Sequence, residues 1–143
     1  MRVLVDTSIW SLALRRASRA GGATVAELTE LISEDRVVML GAIRQELLSG
    51  INSQQDFRRL RDHLRAFPDE SATTADHELA ADSYNRCRAQ GVQGSNTDFL
   101  LCAVAQRGGF SIFTTDKDFG RFAVVLPVQL HEPRDGHSKT RSS

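Results

Sequence analysis

The chain begins with Met1-Arg2-Val3-Leu4-Val5-Asp6-Thr7-Ser8, and the order of apolar and polar residues in this stretch sets the expected architecture. The run Arg2–Val5 is short, mostly apolar and rich in β-branched side chains, which predicts a buried strand. The three polar residues that follow predict a loop that can cap the next helix. The carboxylate of Asp6 therefore falls at the carboxyl end of the first strand.

Further along the chain, other short apolar runs predict more strands. Val37-Val38-Met39-Leu40 and Ser111-Ile112-Phe113-Thr114 have the length and composition of buried strands, and Val124-Val125-Leu126 predicts a last short one. Asp116 comes two residues after the run at 111–114, so a second carboxylate is expected at the carboxyl end of a strand.

The segments between these strands carry apolar residues at helical spacing. Helices are predicted over Ile9–Arg16, Thr24–Glu34, Ala42–Leu48, Gln54–Phe67, Thr74–Arg88 and Phe99–Ala105, with a loop at Arg19–Ala23. Ser95-Asn96-Thr97-Asp98 supplies capping residues ahead of the last of these helices. The alternation predicts an α/β fold in which helices flank both faces of a central parallel sheet.

The composition is that of one ordinary globular domain. The 143 residues are 41% hydrophobic and 25% charged, which argues against a disordered chain and against a membrane span. We expect one domain over residues 1–132 and a flexible tail over 133–143, where apolar residues are almost absent. Because Asp6 interrupts the N-terminus before any signal-peptide core, we expect a cytoplasmic protein.

Cysteine and charge counts limit the possible functions further. The two cysteines, Cys87 and Cys102, lack the paired spacing of a zinc site or a disulfide framework, so we expect both to be reduced. The chain has 18 basic and 18 acidic residues, so its net charge neither favours nor excludes nucleic acid as a partner.

Four acids from distant segments, Asp6, Glu46, Asp98 and Asp116, are candidates for one site. In open parallel sheets, ligands bind beyond the carboxyl ends of the strands, where these acids can converge. Carboxylates about 5 Å apart repel by about 3 kcal/mol per pair at an effective dielectric constant near 20. A divalent cation relieves that repulsion, and oxygen ligands suit Mg²⁺ or Mn²⁺. The reaction expected of such a site is phosphodiester hydrolysis.

Taken singly, each acid also has a structural interpretation. Asp6 and Asp116 are compatible with turn or cap residues, and Glu46 with a solvated helix position. Asp98 has the spacing of a capping partner for Ser95.

The four acids lie in four motifs that resemble, in order, those of the PIN-domain ribonucleases, with the best match among the VapC toxins of bacterial toxin–antitoxin pairs. The similarity extends to about residue 130. The matching stretches are Val3-Leu4-Val5-Asp6-Thr7-Ser8-Ile9-Trp10, Ile43-Arg44-Gln45-Glu46-Leu47-Leu48-Ser49-Gly50, Thr97-Asp98-Phe99-Leu100-Leu101-Cys102-Ala103-Val104-Ala105 and Ile112-Phe113-Thr114-Thr115-Asp116-Lys117-Asp118-Phe119.

This resemblance implies a role for each motif residue. Asp6, Asp98 and Asp116 would bind the metal ion, Mg²⁺ or Mn²⁺, and Glu46 would position the metal or the nucleophilic water. The hydroxyl residues Thr7, Ser8 and Thr115 would orient the acids. Asp118 would assist or replace Asp116, or else only cap the turn before Phe119.

The resemblance also implies a function and partners. A toxin member of the family cleaves RNA and thereby inhibits translation, is held inactive by a VapB-like antitoxin, and usually forms a homodimer. Two alternatives stay open: a PIN-fold nuclease that is not a toxin, and a catalytically silent PIN-like binding module.

Overall fold

The computed structural model describes residues 1–14 and 22–134. Its strands are β1 (Val3–Val5), β2 (Val37–Leu40), β3 (Asp69–Glu70) and β4 (Ser111–Phe113). Its helices are α1 (Thr7–Leu14), α2 (Gly22–Ser33), α3 (Gly41–Leu48), α4 (Gln54–Leu64), α5 (Thr74–Ala89), α6 (Asn96–Gly108) and α7 (Asp118–Val125).

The four strands form a parallel sheet in the order β3-β2-β1-β4. In the centre of the sheet, Leu4 of β1 is paired with Val38 on one side and with Ile112 on the other. Beyond β4, Leu130 adds a single parallel bridge to Ile112. The predicted central parallel sheet is confirmed.

Burial shows that helices cover the sheet on both faces. Every residue of β1, β2 and β4 is buried, although successive side chains of a strand point to opposite faces. Helix α6 has a continuous buried stretch from Leu101 to Ala105. Within it, Cys102 is fully buried and acts as a small core residue, and Cys87 of α5 is buried as well; both thiols are free.

Most predicted helices occur, with shifts at their ends. The first helix begins at Thr7, two residues early, and its predicted last turn at 15–16 lies outside the described residues. The predicted loop 19–23 is wrong in its last two residues, which already belong to α2, and its first three residues lie outside the described part of the chain. Helix α4 ends at Leu64 rather than Phe67, because the carbonyl oxygens of both residues accept hydrogen bonds from the Arg44 guanidinium.

The strand predicted over Val124–Leu126 is wrong, because this segment is the end of α7 and the residue after it. Phe119 and Phe122 are both buried, and their spacing of three residues is that of one helix face. Val124, by contrast, is 84% exposed. The two rings pack against each other, and Phe122 packs against Phe99 with ring centroids 4.9 Å apart. This aromatic packing outweighs the β propensity of the two valines.

Strand β3 is only two residues long and is not predicted by any pattern in the sequence. Asp69 and Glu70 carry no apolar pattern, and they form a strand because they pair with Met39 and Leu40 of β2. The Arg44 guanidinium also donates to the Asp69 carboxylate, with Nη2 2.8 Å from Oδ1. This edge strand therefore depends on tertiary contacts that a local pattern does not contain.

The C-terminal segment is tied to α2 by a buried acid. Glu27 is 1% exposed, and its carboxylate lies 2.7 Å from His131 Nε2 and 2.9 Å from Arg134 Nε. Arg134, the second residue of the predicted tail 133–143, is therefore held in place by these contacts. Residues 135–143 lie outside the described part of the chain.

Across residues 1–14 and 22–134, none of the helices is both long enough and apolar enough to cross a membrane.

Candidate active site

Asp6 is a buried acid that directly follows β1, as predicted. Two hydroxyl groups donate hydrogen bonds to its Oδ2 atom: Thr114 Oγ1 at 2.8 Å and Ser8 Oγ at 3.1 Å. The two hydroxyl oxygens lie 3.3 Å from each other. Asp6 is thus fixed in orientation by neutral donors, and within the described residues it forms no ion pair.

The parallel register of the sheet explains why Thr114 reaches Asp6. Val5 is paired with Phe113, and the Asp6 backbone N–H donates to the Phe113 carbonyl oxygen at 2.9 Å. The residues that follow the two strands, Asp6 and Thr114, are therefore neighbours across the same sheet edge.

Thr114 also connects Asp6 to Asp116. The Asp116 backbone N–H donates to Thr114 Oγ1 at 2.9 Å, and the Asp118 backbone N–H donates to Asp116 Oδ1 at 2.9 Å. The carboxylate of Asp118 is paired with Arg121 on the next turn of α7. Asp116 is therefore joined to the Asp6 network through Thr114, while the charge of Asp118 is compensated elsewhere.

Asp98 lies in the first turn of α6, where it completes a capping box. Its Oδ2 atom accepts from the Ser95 backbone N–H at 3.0 Å, and Ser95 Oγ accepts from the Asp98 backbone N–H at 3.1 Å. Burial raises the pKa of the Asp98 carboxyl, and the negative charges of Asp6 and Asp116 raise this pKa further. Asp98 therefore caps α6, and its carboxyl also interacts electrostatically with Asp6 and Asp116.

The same electrostatic coupling reaches the core beneath the site. Burial raises the pKa of the Cys102 thiol to about 12, and the charges of Asp98 and Asp6 contribute. Asp6, Asp98 and Asp116 thus form a group in which Thr114 joins Asp6 to Asp116 by hydrogen bonds and the charges of both acids help to raise the pKa of Asp98.

Glu46 is connected to this group only through Thr7. It lies exposed on α3, and Thr7 Oγ1 donates to its Oε1 atom at 2.6 Å. Thr7 follows Asp6 directly in the chain. Among the described residues, no hydrogen bond joins Glu46 to the other three acids.

Of the three hydroxyl residues expected to orient the acids, two contact an acidic side chain in the structure. Thr7 and Ser8 contact acids, whereas Thr115 contributes only its backbone N–H, which donates to Ser8 Oγ at 3.1 Å. Thr114, which the sequence analysis did not select, takes the position expected of Thr115. The predicted third strand includes Thr114, so aligning the predicted strand ends places Thr115 beside Asp6. The observed strand ends one residue earlier, at Phe113, which pairs with Val5 and brings Thr114 to Asp6.

The donor atoms at this site fit a hard divalent cation. In the described part of the chain, no group of three or more acidic, histidine or cysteine side chains is arranged so that it could by itself hold a metal ion. Mg²⁺ does not need one, because it usually keeps several waters and uses one or two carboxylates plus substrate phosphate oxygens. Asp6, Asp98 and Asp116 offer only oxygen ligands, and no described basic side chain pairs with them.

Solved structures of other proteins share this fold. FitAcB from Neisseria gonorrhoeae is 20% identical, with a TM-score of 0.74, and the match covers 92% of this chain and 97% of that one. VapBC2 from Rickettsia felis, solved bound to a DNA fragment from its promoter, is 14% identical with a TM-score of 0.73, covering 92% and 98%. VapBC-1 from nontypeable Haemophilus influenzae is 16% identical with a TM-score of 0.73 and the same coverages.

These identities are too low to show more than a common fold, and no curated protein matches the chain. The family model gives the stronger result. The PIN domain model matches residues 3–125, which include every strand, all seven described helices and the four candidate acids. By this match, the chain belongs to the PIN domain family.

Proposed function

We propose that this chain is an endoribonuclease that depends on Mg²⁺ or Mn²⁺, with Asp6, Asp98 and Asp116 as the metal-binding residues. The observation that supports the proposal is that Thr114 joins Asp6 to Asp116 by hydrogen bonds at the carboxyl end of the parallel sheet. The charges of these two acids help to raise the pKa of Asp98, and none of the three acids pairs with a described basic side chain. Such a group is costly unless it binds a cation, which supports a metal-binding role.

In this proposal the metal ion supplies the chemistry, and the acids bind the ion or position the attacking water. A bound divalent ion would lower the pKa of an attacking water and neutralise charge that develops on the phosphate. Hydrogen bonds from the hydroxyls of Ser8 and Thr114 fix the orientation of the Asp6 carboxylate. Asp98 keeps its Oδ1 atom outside the capping box. Glu46, exposed and oriented by Thr7, is suited to position the nucleophilic water or the ion.

We further infer that the nuclease is the toxin of a toxin–antitoxin pair, cytoplasmic, and an inhibitor of translation. The fold shared with the VapBC and FitAB proteins and the four VapC-like motifs support this role. The expected partners are the RNA substrate, a VapB-like antitoxin and a second copy of the chain. An antitoxin could inhibit the enzyme by placing an arginine or lysine among the unpaired carboxylates.

The test of the nuclease is cleavage of RNA by the purified full-length chain. We expect Mg²⁺ or Mn²⁺ to support cleavage, EDTA to abolish it, and Asp6→Asn to lower it at least about a hundredfold with the fold retained. Asp82→Asn is the matched control, because it removes one exposed carboxylate from α5 outside the group. Unchanged cleavage by Asp6→Asn, or cleavage that resists EDTA, would reject the assignment.

The toxin role is tested separately, by brief induction in cells. We expect the wild-type chain to stop growth and protein synthesis, Asp6→Asn to do neither, and co-expression of the adjacent open reading frame to restore growth. Active enzyme without growth arrest would favour a PIN nuclease that is not a toxin. Absence of any cleavage would favour a binding module.

A further inference from the structure

A small cleft lies between the end of α5 and the loop that precedes α6. Its volume is about 170 Å³, which is below the ~300–1,000 Å³ of sites for drug-sized ligands but suits one planar ring system. Its walls are Tyr84, Arg88, Val92, Gln93, Gly94 and Phe99.

Tight packing fixes the shape of this cleft. A Cβ atom at Gly94 would lie 2.5 Å from Phe122 Cζ and 3.1 Å from Phe99 Cε2, so only glycine allows the loop to approach these rings. The Tyr84 ring meets the Phe99 ring edge-on, with centroids 5.5 Å apart. A ligand would therefore enter a preformed cleft, which lowers the entropic cost of binding.

Arg88 gives the cleft a planar cation. Its guanidinium carbon lies 5.6 Å from the centre of the Tyr84 ring, within cation–π range. Arg88 forms no ion pair with a described residue, whereas Arg86, two positions earlier, faces Asp82 at 4.0 Å. The charge of Arg88 is thus available to a ligand, and its flat group offers a surface for stacking.

The cleft adjoins the candidate active site. Phe99, which forms one wall, directly follows Asp98, and Gly94 directly precedes Ser95, the capping partner of Asp98. The cleft and the proposed metal site thus share the segment 94–99 of the chain, although none of the three acids lines the cleft.

We propose that this cleft binds one nucleobase of single-stranded RNA, from a nucleotide next to the cleaved phosphate. The position relative to the cut rests on the proposed nuclease function, whereas binding of the base does not. Single-stranded RNA is commonly recognised by stacking bases on aromatic rings and on arginine planes, and Tyr84 and Arg88 supply both. The exposed amide of Gln93 provides a donor and an acceptor for the base edge.

Tyr84 is the only tyrosine of the chain, so labelling with 3-fluorotyrosine places a single ¹⁹F reporter in the cleft. The full chain is titrated with short single-stranded RNA in EDTA, which prevents cleavage, while anisotropy of labelled RNA measures saturation. We expect the ¹⁹F resonance to shift as RNA binds, and Arg88→Ala to raise Kd about tenfold. Arg86→Ala removes the same charge outside the cleft and should stay within about twofold of wild type.

RNAs that carry one abasic nucleotide separate stacking of a base from binding of a phosphate. We expect one abasic position to abolish the ¹⁹F shift and to weaken binding as much as Arg88→Ala does, with no further loss when the two are combined. A resonance that stays in place at saturation, or equal Kd values for Arg88→Ala and Arg86→Ala, would overturn the proposal.

A parallel cleavage assay keeps the two proposals distinct. RNA cleavage without a ¹⁹F shift would leave the nuclease standing and remove the nucleobase site. A ¹⁹F shift with no cleavage under any metal would support the nucleobase site and reject the nuclease.

Discussion

Helices α5 and α6 begin with the same local motif and place it in opposite electrostatic surroundings. Each starts with a capping box: Thr73 with Asp76 in α5, and Ser95 with Asp98 in α6. Asp76 is 1% exposed, and its carboxylate accepts from the Arg107 guanidinium at 2.9 Å. Hydrogen bonds from Arg107 lower the pKa of the Asp76 carboxyl, whereas burial and two neighbouring acids raise the pKa of Asp98.

The difference shows that a local motif determines the backbone geometry but not the role of its acid. Both carboxylates satisfy the free N–H of the residue before the helix, which is a structural task. Only Asp76 is also neutralised by the protein, through Arg107. Among the described residues, no basic side chain compensates the charge of Asp98, and a site with uncompensated charge is a candidate for binding a cation.

The largest expected effect is the loss of RNA cleavage in Asp98→Asn. We expect metal-dependent cleavage to fall at least about a hundredfold, because one proposed metal ligand is gone. A raised carboxyl pKa in the folded state means that the ionised form costs stability at neutral pH, so the neutral amide should leave the free energy of unfolding equal or higher. Urea unfolding at pH 7 measures this. Full activity would show that Asp98 is only a capping residue.

The matching change in α5, Asp76→Asn, should affect stability and not chemistry. We expect the free energy of unfolding to fall by about 2 kcal/mol at pH 7, because the hydrogen-bonded pair with the partly exposed Arg107 is broken. Cleavage per folded molecule should match wild type.

The loss of unfolding free energy in Asp76→Asn should depend on pH, because the pKa of Asp76 is lowered in the folded state. The stabilisation by ionised Asp76 is complete above its ordinary pKa of 3.8 and disappears as the pH falls through the lower folded-state value. The difference in stability between wild type and Asp76→Asn should therefore begin to shrink once the pH falls below 3.8. A constant difference in unfolding free energy from pH 7 to pH 3 would contradict this linkage.

The backbone consequences of this motif were predictable from sequence, and the electrostatic ones were not. Helical spacing and caps placed the ends of α5 and α6 within three residues of those observed. The pairing of Asp76 with Arg107 joins residues 31 positions apart, and no local pattern encodes it. The four acids could be named in advance because their order and contexts resemble a family, although the contacts that link Asp6, Asp98 and Asp116 required the fold.

The errors of sequence interpretation have the same origin. The Val124-Val125-Leu126 run has strand composition, yet the burial of Phe119 and Phe122 makes it helical. Thr114 and Thr115 are equivalent by composition, and the pairing of β1 with β4 decides which hydroxyl faces Asp6. Register and ring packing are tertiary facts, which short windows of sequence leave undetermined.

A smaller effect on RNA cleavage should distinguish Thr114 from Thr115. Thr114→Val keeps the size and β-branching of the side chain but removes the hydroxyl that joins Asp6 to Asp116. We expect cleavage to fall about tenfold, as for groups that orient metal ligands. Thr115→Val is the control, because the Thr115 hydroxyl makes no hydrogen bond with a described residue. Equal activities of the two variants would remove Thr114 from the positioning network.

The smallest expected effect lies in the caps themselves, where the two helices should behave alike. Thr73→Ala and Ser95→Ala each remove a side-chain oxygen that accepts an N3 backbone N–H, and each should lower the free energy of unfolding by about 1 kcal/mol. Their effects on the acids should differ. The Asp76 carboxylate stays anchored by Arg107, so Thr73→Ala should leave cleavage unchanged.

Asp98 has no such anchor, because Ser95 is the residue whose hydrogen bonds counteract the rise of its pKa. Ser95→Ala should therefore shift the Asp98 carboxyl to a higher titration midpoint by ¹³C NMR and raise the metal concentration needed for half-maximal cleavage. Equal stability losses combined with an effect on cleavage in α6 alone would show that one motif serves structure in one helix and both structure and chemistry in the other. If Thr73→Ala impaired cleavage as much as Ser95→Ala, the two acids would not differ in role, and the contrast would rest on stability alone.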